Sequence, residues 1–374
     1  MIFLLLIIGL VYVPAISWLI FGALRLTRYQ TSVATPVTKF SIIIAFRNEE
    51  NQLPDLLASL EKLAYPRQLF EVIFVNDASE DNGEQLIKLH IQTTELSITI
   101  LQNKRKSNSP KKDAIVTAIA AAKNGWIVTT DADCVLPINW LAAYDQIIDK
   151  EVPMMVCGPV VYPSGRRFVE QFQFLDGLSL QGATMGSFGW KQPLLCNGAN
   201  LAYQKSVFNA IKGFASNDHI ASGDDIFLLE KVQSHYPNTT YYLNNKDAVV
   251  RTRSEQSWAQ VVQQRIRWAS KTSQQKKPFS KILGIIVFLG NLAFLTSIFV
   301  SIWDSSPLYL LGILLGLKVA VDLSLLRIAS HLLYRPFSVV QFILIAVVYP
   351  PITLWIIINS LSGSYEWKGR TFKK

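Results

Sequence analysis

The two ends of this chain constrain its fold most, because both are too apolar for a wholly soluble protein. Residues 1–24 are almost all apolar and long enough to cross a bilayer. Three more apolar stretches lie near Ile282–Trp303, Leu308–Leu326 and Phe337–Leu361. With 50% hydrophobic residues and a mean hydropathy of +0.26, the chain is predicted to be a multi-pass membrane protein.

The net charge of +9 is compatible with nucleic acid, anionic lipid or phosphorylated ligands as partners. Basic flanks of membrane helices explain it best, since Arg25, Arg28 and Lys39 follow the first apolar segment, and nucleic acid is not expected. The same flank predicts a cytoplasmic region after the first segment, at a bacterial inner (plasma) membrane. Three cysteines without metal-ligand spacing indicate a reducing compartment.

The middle of the chain, residues 39–253, has the composition of a soluble α/β domain. Short β-rich runs alternate with segments of helical period, which predicts a largely parallel sheet with helices on both faces. Ligands of such sheets bind at the carboxyl ends of the strands. The predicted strands lie near Phe40–Ala45, Phe70–Asn76, Ser97–Leu101 and Trp126–Thr130, and the predicted helices near Glu50–Lys62, Asn82–Thr93 and Lys111–Lys123.

Two carboxylates, Asp131 and Asp133, follow the last of these strands directly. Residues at i and i+2 of an extended chain project to the same side, so both acids can reach one ion. Mg²⁺ and Mn²⁺ prefer oxygen ligands, and Mg²⁺ is usually held by one or two carboxylates together with substrate phosphates. The pair therefore predicts a metal site for diphosphate chemistry; the alternative is an ordinary acidic turn.

Polar residues also follow the first two strands, among them Glu49 and Asp77. Each group could cap the next helix, but three groups at one edge of a sheet favour a pocket in which Asp77 binds a base or ribose. Lys112 lies at a predicted helix start, where an anion is favoured, and is a candidate diphosphate contact. The run Lys104–Lys106 is equally compatible with a solvated loop.

The ordered series SIIIAFRNEE, VIFVNDASEDN, VTTDADC, LCNGANLAYQKSVF, SGDDIFLLEKV and QRIRW resembles the family 2 glycosyltransferases with the GT-A fold, in the membrane subgroup with a QxxRW motif. The resemblance covers roughly residues 39–270. It implies a Rossmann-like nucleotide-sugar-binding domain that uses Mg²⁺ or Mn²⁺.

The resemblance also implies a role for each matching residue. Asp133 would bind the metal directly, with Asp131 beside it. Asp225 would be the general base; Gly223-Asp224 replaces the more frequent Thr-Glu, which leaves Asp224 as an alternative. The nucleotide-sugar contacts would be Glu49, Asp77, Asp131 and Arg267, with Lys112 as the predicted diphosphate contact. The acceptor contacts would be Asn197, Gly198, Gln264 and Trp268.

The remaining divisions follow from composition. Residues 254–280 read as an amphipathic segment at the membrane surface or an ordinary packing helix, 281–361 as membrane segments and 362–374 as a basic tail. Pro350-Pro351 is expected to interrupt the last segment, and Lys318 is expected to pair with Asp322.

The expected activity is inverting transfer from a UDP-sugar to a lipid or lipid-linked glycan acceptor at the cytoplasmic face. Direct displacement assisted by one base inverts the anomeric centre.

A processive β-polysaccharide synthase is the second enzymatic hypothesis. A non-catalytic membrane scaffold with this fold is the third, although a decayed site would be expected to lose some of the acidic residues that this chain retains. A transporter would usually need more membrane segments.

Overall fold

A seven-stranded sheet forms the centre of the middle region in the computed structural model, which describes residues 7–30, 35–218, 220–272, 274–275, 277–303, 308–360 and 364–373. Its strand order is β3-β2-β1-β4-β8-β6-β9, and the first four strands run parallel. Strand β8 pairs antiparallel with both β4 and β6, and β9 pairs parallel with β6. The strands are β1 Phe40–Phe46, β2 Phe70–Asn76, β3 Ile98–Gln102, β4 Trp126–Asp131, β6 Met155–Cys157, β8 Leu201–Gln204 and β9 Thr240–Tyr242.

Short strands complete two smaller sheets. Strand β10 Val250–Thr252 lies between β5 Cys134–Val135 and β7 Val160–Val161, and a terminal hairpin joins β11 Ser364–Trp367 to β12 Arg370–Lys373. Strand β5 follows Asp131 and Asp133 directly in the chain, and β10 and β7 extend the sheet from β5. This small sheet therefore lies beside the carboxyl end of β4.

Helices cover both faces of the main sheet, as the sequence predicts. Ile42 and Ile44 of β1 pack in one hydrophobic cluster with α2 Leu53–Glu61 and α5 Trp140–Glu151, whereas Ile43 packs in another with α4 Pro110–Ala121. Burial on both faces explains why these strands read as continuous apolar runs without alternation. The other helices of this region are α3 Gly83–Ile91, α6 Phe168–Gly189, α7 Lys205–Ala210, α8 Asp224–His235 and α9 Trp258–Thr272.

Three helices are long and apolar enough to cross a membrane within the described residues: Ile7–Arg25, Pro278–Val300 and Val339–Ser360. The first joins a π-helical turn, Ile7–Tyr12, to α1 Val13–Arg25; the others belong to α10 Pro278–Trp303 and α12 Val339–Ser360. The second of the three predicted C-terminal segments is helical, as α11 Leu308–Leu332, but it is not among the candidate spans. The predicted interruption at Pro350-Pro351 is wrong, because α12 continues through both prolines.

Two polar contacts at Asp322 lie among the apolar helices, one within α11 and one between α11 and the N-terminal segment. The predicted pair is confirmed, since Lys318 Nζ lies 2.8 Å from Asp322 Oδ2 within α11. Tyr12 donates to the other oxygen of Asp322 at 2.6 Å. The carboxylate thus has a partner on each oxygen, which offsets the cost of placing it among apolar helices.

Helix α1 packs directly against α6 of the middle region. A Cβ added at Gly186 would lie 2.4 Å from the carbonyl oxygen of Leu19, and one at Gly189 would lie 1.8 Å from that of Gly22. Small residues of this kind let two helix backbones approach closely. The N-terminal segment therefore packs against a helix, α6, whose residues line the main cavity of the protein.

Candidate active site

A cavity of about 720 Å³ opens at the carboxyl ends of β1, β2 and β4. The sheet topology explains the position, since parallel strands present their following loops at one edge. The structure brings together eleven of the twelve residues that the sequence singles out, and Lys112 is the exception. The eleven lining residues are Glu49, Asp77, Asp131, Asp133, Asn197, Gly198, Asp224, Asp225, Gln264, Arg267 and Trp268.

The acid pair occupies the centre of this edge. Thr252 donates to Asp133 Oδ2 at 3.3 Å, and burial together with the charge of Asp131 raises the pKa of Asp133. Among the described residues, no group of three His, Cys, Asp or Glu side chains forms a metal site. Two carboxylates nevertheless fit Mg²⁺ or Mn²⁺ when substrate phosphates supply further oxygens, and a dication would relieve their mutual repulsion.

Lys111, not Lys112, faces the acid pair. Its ammonium lies 2.7 Å from Asp131 Oδ1 and 3.4 Å from Asp224 Oδ2. Lys112 is 1% exposed and donates to the carbonyls of Asn217 and Ile220. Adjacent residues of a helix point about 100° apart, and here Lys111 faces the cavity while Lys112 points to the loop at Asn217 and Ile220. The prediction that Lys112 faces the ligand site is therefore wrong, and its neighbour Lys111 lines the cavity instead.

Asp77 follows β2 and is held by three side chains. Its Oδ1 accepts from Asn103 and Arg105 at 2.7 Å each, and its Oδ2 accepts from Arg370 at 2.5 Å. Burial raises the pKa of Asp77, but the hydrogen bonds from these partners outweigh burial and the net pKa is lowered. Arg105 shows that the run Lys104–Lys106 is not only a solvated loop.

Glu49 lies beside the acid pair and is bound by Lys368, whose ammonium is 2.5 Å from Glu49 Oε1. Burial raises the pKa of Glu49 to about 7; Lys368 opposes the shift, and the charges of Asp133 and Asp131 add to it. Lys368 and Arg370 both belong to the predicted basic tail. No local sequence signal could have found these contacts, because they join residues about 300 positions apart.

Asp224 and Asp225 begin helix α8, directly after Gly223, which has a φ of 83°. Asp225 accepts from the backbone N–H of Ile226 at 2.8 Å and from that of Gly198 at 3.3 Å. Asp224 is 9% exposed and contacts Lys111. The two acids thus differ: Asp224 belongs to the charge cluster of the acid pair, whereas Asp225 lies beside the loop that contains Asn197 and Gly198.

Helix α9 places the residues of the QRIRW segment along one wall. Gln264 donates to Glu255 at 3.0 Å and accepts from the Tyr162 hydroxyl at 3.2 Å. Arg265, which the sequence analysis missed, binds Asp176 at 2.6 Å, and its guanidinium lies 4.2 Å from the Trp268 ring centroid. One face of Trp268 is therefore covered by Arg265 while the residue still borders the cavity.

The far end of the same cavity is lined by side chains of a candidate membrane span, beside the Asp176–Arg265 ion pair. Four residues on one side of α12 line it: Tyr349, Thr353, Ile356 and Ile357. Phe172 and Leu180 of α6 form part of the neighbouring wall. One continuous space therefore joins the acid pair to a helix that is long and apolar enough to cross a bilayer.

The sheet order and the polar strand-end cavity define a GT-A, Rossmann-like fold. Residues 41–211 match the family model described as glycosyl transferase family 2. Residues 41–211 therefore belong to a glycosyl transferase family 2 domain, and the fold is GT-A.

Several known proteins resemble parts or all of the chain. The probable glycosyltransferase YdaM of Bacillus subtilis is 22% identical over 237 residues, which are 62% of this chain and 54% of YdaM, so the match spans about half of that relative. Undecaprenyl-phosphate 4-deoxy-4-formamido-L-arabinose transferase of Salmonella paratyphi A is 30% identical over 105 residues, 27% of this chain and 30% of the relative. The structure of the mannosyltransferase PcManGT from Pyrobaculum calidifontis, in complex with GDP-Man and Mn²⁺, matches with a TM-score of 0.58 and 18% identity over 96% of both chains, which shows the shared fold.

Proposed function

We propose that this protein is an inverting, metal-dependent glycosyltransferase that moves a hexosyl or N-acetylhexosaminyl group from a UDP-sugar to a lipid or lipid-linked acceptor. Its catalytic domain faces the cytoplasm at the plasma membrane. The observation that carries the proposal is the single cavity with the Asp131/Asp133 pair at one end and α12 at the other. A soluble nucleotide sugar suits the charged end, and a membrane-embedded acceptor suits the apolar end.

At the charged end, Asp133 and Asp131 would hold Mg²⁺ or Mn²⁺, which stabilises the charge that develops on the leaving diphosphate. Lys111 already lies at Asp131, where its ammonium can bind the same diphosphate, and Arg267 lines the cavity as a second cation. Asp77, fixed by Asn103 and Arg105, would bind the nucleotide, and Glu49, which lines the same cavity, would also contact the nucleotide sugar.

Asp225 is the general base in this mechanism. As the acceptor hydroxyl attacks the anomeric carbon, its proton passes to Asp225, a C–O bond forms, and the bond from that carbon to the diphosphate oxygen breaks. The backbone donors Ile226 and Gly198 fix the carboxylate, so its orientation does not depend on the substrate. Attack opposite to the leaving group inverts the anomeric configuration, and Asn197, Gly198, Gln264 and Trp268 would border the acceptor.

Two relatives support the proposal in its coarser form, a nucleotide-sugar donor with a divalent metal and a lipid acceptor. PcManGT binds a nucleotide sugar with Mn²⁺, and the Salmonella relative acts on undecaprenyl phosphate, as their names state. The identities are low and the matched lengths partial, so the argument for the lipid acceptor comes from the cavity of this chain. The basic flank of α1 supports the cytoplasmic placement.

The proposal is tested by nucleotide release from the full-length protein in lipid nanodiscs, against a panel of UDP-sugars and GDP-mannose with Mn²⁺ or Mg²⁺. Mass spectrometry then compares the lipids before and after reaction. We expect metal-dependent UDP release with one donor and a lipid heavier by one sugar. A ladder of products would instead indicate a processive synthase. Nucleotide binding without turnover in native lipid extracts would favour the scaffold, and GDP release would overturn the UDP assignment.

A further inference from the structure

The terminal hairpin, residues 364–373, reaches into the charged end of the cavity although it follows the last membrane helix. Strands β11 and β12 pair antiparallel, with Trp367 opposite Arg370. The two residues between them, Lys368 and Gly369, have φ values of 51° and 71°. Two consecutive positive φ values define the tight turn that joins two-residue hairpins. The turn therefore presents Lys368 and Arg370 from a compact unit rather than from a loose tail.

Three contacts dock this turn at the strand ends. Lys368 binds Glu49 at 2.5 Å, Arg370 binds Asp77 at 2.5 Å, and Arg47 donates from Nε to the Lys368 carbonyl at 3.5 Å. Both acids are nearly covered, with side chains 10% exposed. Charge-assisted bonds at such sites are stronger than exposed surface pairs. Strand β11 also packs against α9, which carries Arg267 and Trp268.

The two cations keep hydrogen-bonding capacity toward the cavity that they line. Within the described part of the chain, Arg370 donates one N–H to the Asp77 carboxylate and one to its carbonyl, and Lys368 donates one to Glu49. A guanidinium has five N–H donors and an ammonium has three. Both side chains remain partly exposed, at 21% for Arg370 and 33% for Lys368.

The charges near the remaining N–H groups of Lys368 and Arg370 indicate which ligand these groups would bind. Lys368 is close enough to Asp133 for its charge to act on that carboxylate, and Lys111 binds Asp131, the other acid of the pair. A diphosphate held by a metal at this pair would therefore lie within reach of both Lys111 and the hairpin. Arg and Lys are both suited to phosphate oxygens, Arg through its planar fork and Lys as a point charge.

We infer that the terminal hairpin is a strap of the donor site, in which Lys368 and Arg370 bind the diphosphate of the nucleotide sugar and Asp77 and Glu49 hold them in place. This inference rests on the proposed function, because it assigns more residues to the same donor. The opposite hypothesis, in which the docked hairpin excludes the donor, predicts the reverse response to nucleotide.

The first experiment measures tryptic cleavage after Lys368 and Arg370 in the full-length protein in nanodiscs, with the released peptides identified by mass spectrometry. UDP with Mn²⁺ should slow cleavage at both sites at least about threefold, because a closed strap must open before the protease can act. Uridine, which lacks the diphosphate, should give no protection. Unchanged or faster cleavage with UDP would overturn the inference, and faster cleavage would establish the excluding hairpin.

The second experiment measures UDP affinity by calorimetry with Mn²⁺ for Lys368→Ala, Arg370→Ala and the control Lys62→Ala, an exposed lysine outside the cavity. Each strap variant should bind UDP roughly tenfold more weakly, the effect of one lost charge-assisted contact, while Lys62→Ala should match the wild type. Thermal unfolding checks that the variants are folded. Arg370→Lys, which keeps the charge, should recover part of the affinity if Arg370→Ala alone is unstable.

Different results would refute the proposed function and the role of the hairpin. If the wild type binds neither UDP nor GDP, the proposed function is refuted and the strap with it. If the wild type binds UDP and the strap variants bind equally or more tightly, the strap is refuted and the proposed function stands.

Discussion

The two ends of the cavity are built from different parts of the molecule and by different physics. At the charged end, which is the proposed donor end, strand-terminal acids bind cations from two other segments, as in the contacts of Lys111 with Asp131 and of Arg370 with Asp77. At the far end, apolar side chains of α6 and α12, among them Phe172, Leu180 and Ile356, line the space together with the paired charges of Asp176 and Arg265. Directional charged contacts suit one small molecule of defined shape, whereas an apolar wall can accept lipid chains of different length or branching.

This contrast predicts that substitutions at the two ends affect separable quantities. Changes at the donor end should alter nucleotide or metal binding, changes at the far end should alter acceptor use, and a change where the ends meet should affect the chemical step alone. Asp225 lies at this junction, because it lines the cavity beside Gly198 and close to the acid cluster.

The largest effect is expected for Asp225→Asn, which keeps the size of the side chain and removes the base. Turnover should fall at least about a hundredfold, a typical cost of losing a general base, with UDP affinity retained. Single-turnover kinetics and calorimetry measure the two quantities. Asp149→Asn, an exposed position on α5, is the matched control. Near-normal turnover in Asp225→Asn together with a large loss in Asp224→Asn would move the role to Asp224.

The next effect concerns the metal. Asp133→Asn removes one of two adjacent carboxylates, so Mn²⁺-dependent UDP binding should weaken at least about tenfold, while the weaker binding measured in EDTA should change little. Calorimetry with and without Mn²⁺ gives both values. Equal loss in EDTA and in Mn²⁺ would mean that Asp133 contacts the nucleotide directly and would contradict a metal role.

The far end is tested by a pair of neighbours on α12. Ile357 lines the cavity, whereas Ile358 is 62% exposed on the outer surface of the same helix. Ile357→Trp should narrow the apolar end and raise the acceptor KM about fivefold without changing UDP affinity, and Ile358→Trp should leave both unchanged. A loss of UDP affinity in Ile357→Trp would show that the two ends are not separable.

The donor end was largely predictable from sequence because its residues follow buried strands. The run Ile127–Thr130 reads as a strand since both of its faces are covered, and its end fixes the position of Asp131 and Asp133. Ordered local motifs located Asp77, Asp225 and Trp268 in the same way. Such predictions depend only on short stretches of chain, because a parallel sheet brings the residues that follow its strands to one edge.

Contacts between distant segments were not predictable. The choice between Lys111 and Lys112 depends on the rotation of α4 to within one residue, and helix boundaries read from sequence are less precise than that. The hairpin residues Lys368 and Arg370 have no motif that relates them to acids about 300 positions away. Helix α6 was not predicted from the sequence. Most of its residues are buried, so its apolar residues do not follow a clear helical period.

The smallest expected effect is a pH dependence that belongs to the donor end alone. Burial raises the pKa of Glu49 from 4.5 to about 7, despite the opposing charge of Lys368. Between these values the folded protein keeps a proton that the unfolded chain has released. The contribution of Glu49 to stability is therefore present below about pH 4.5 and is lost as the pH rises through about 7.

Glu49→Gln does not titrate, so its melting temperature relative to the wild type should rise by a few degrees between pH 5 and pH 7.5, in metal-free buffer. Glu95→Gln, at an exposed position, should follow the wild type at both pH values. Thermal unfolding of the three proteins in nanodiscs measures the difference. Parallel pH curves for Glu49→Gln and the wild type would show that Lys368 keeps Glu49 ionised throughout, and the donor end would then be a fixed rather than a titrating charge cluster.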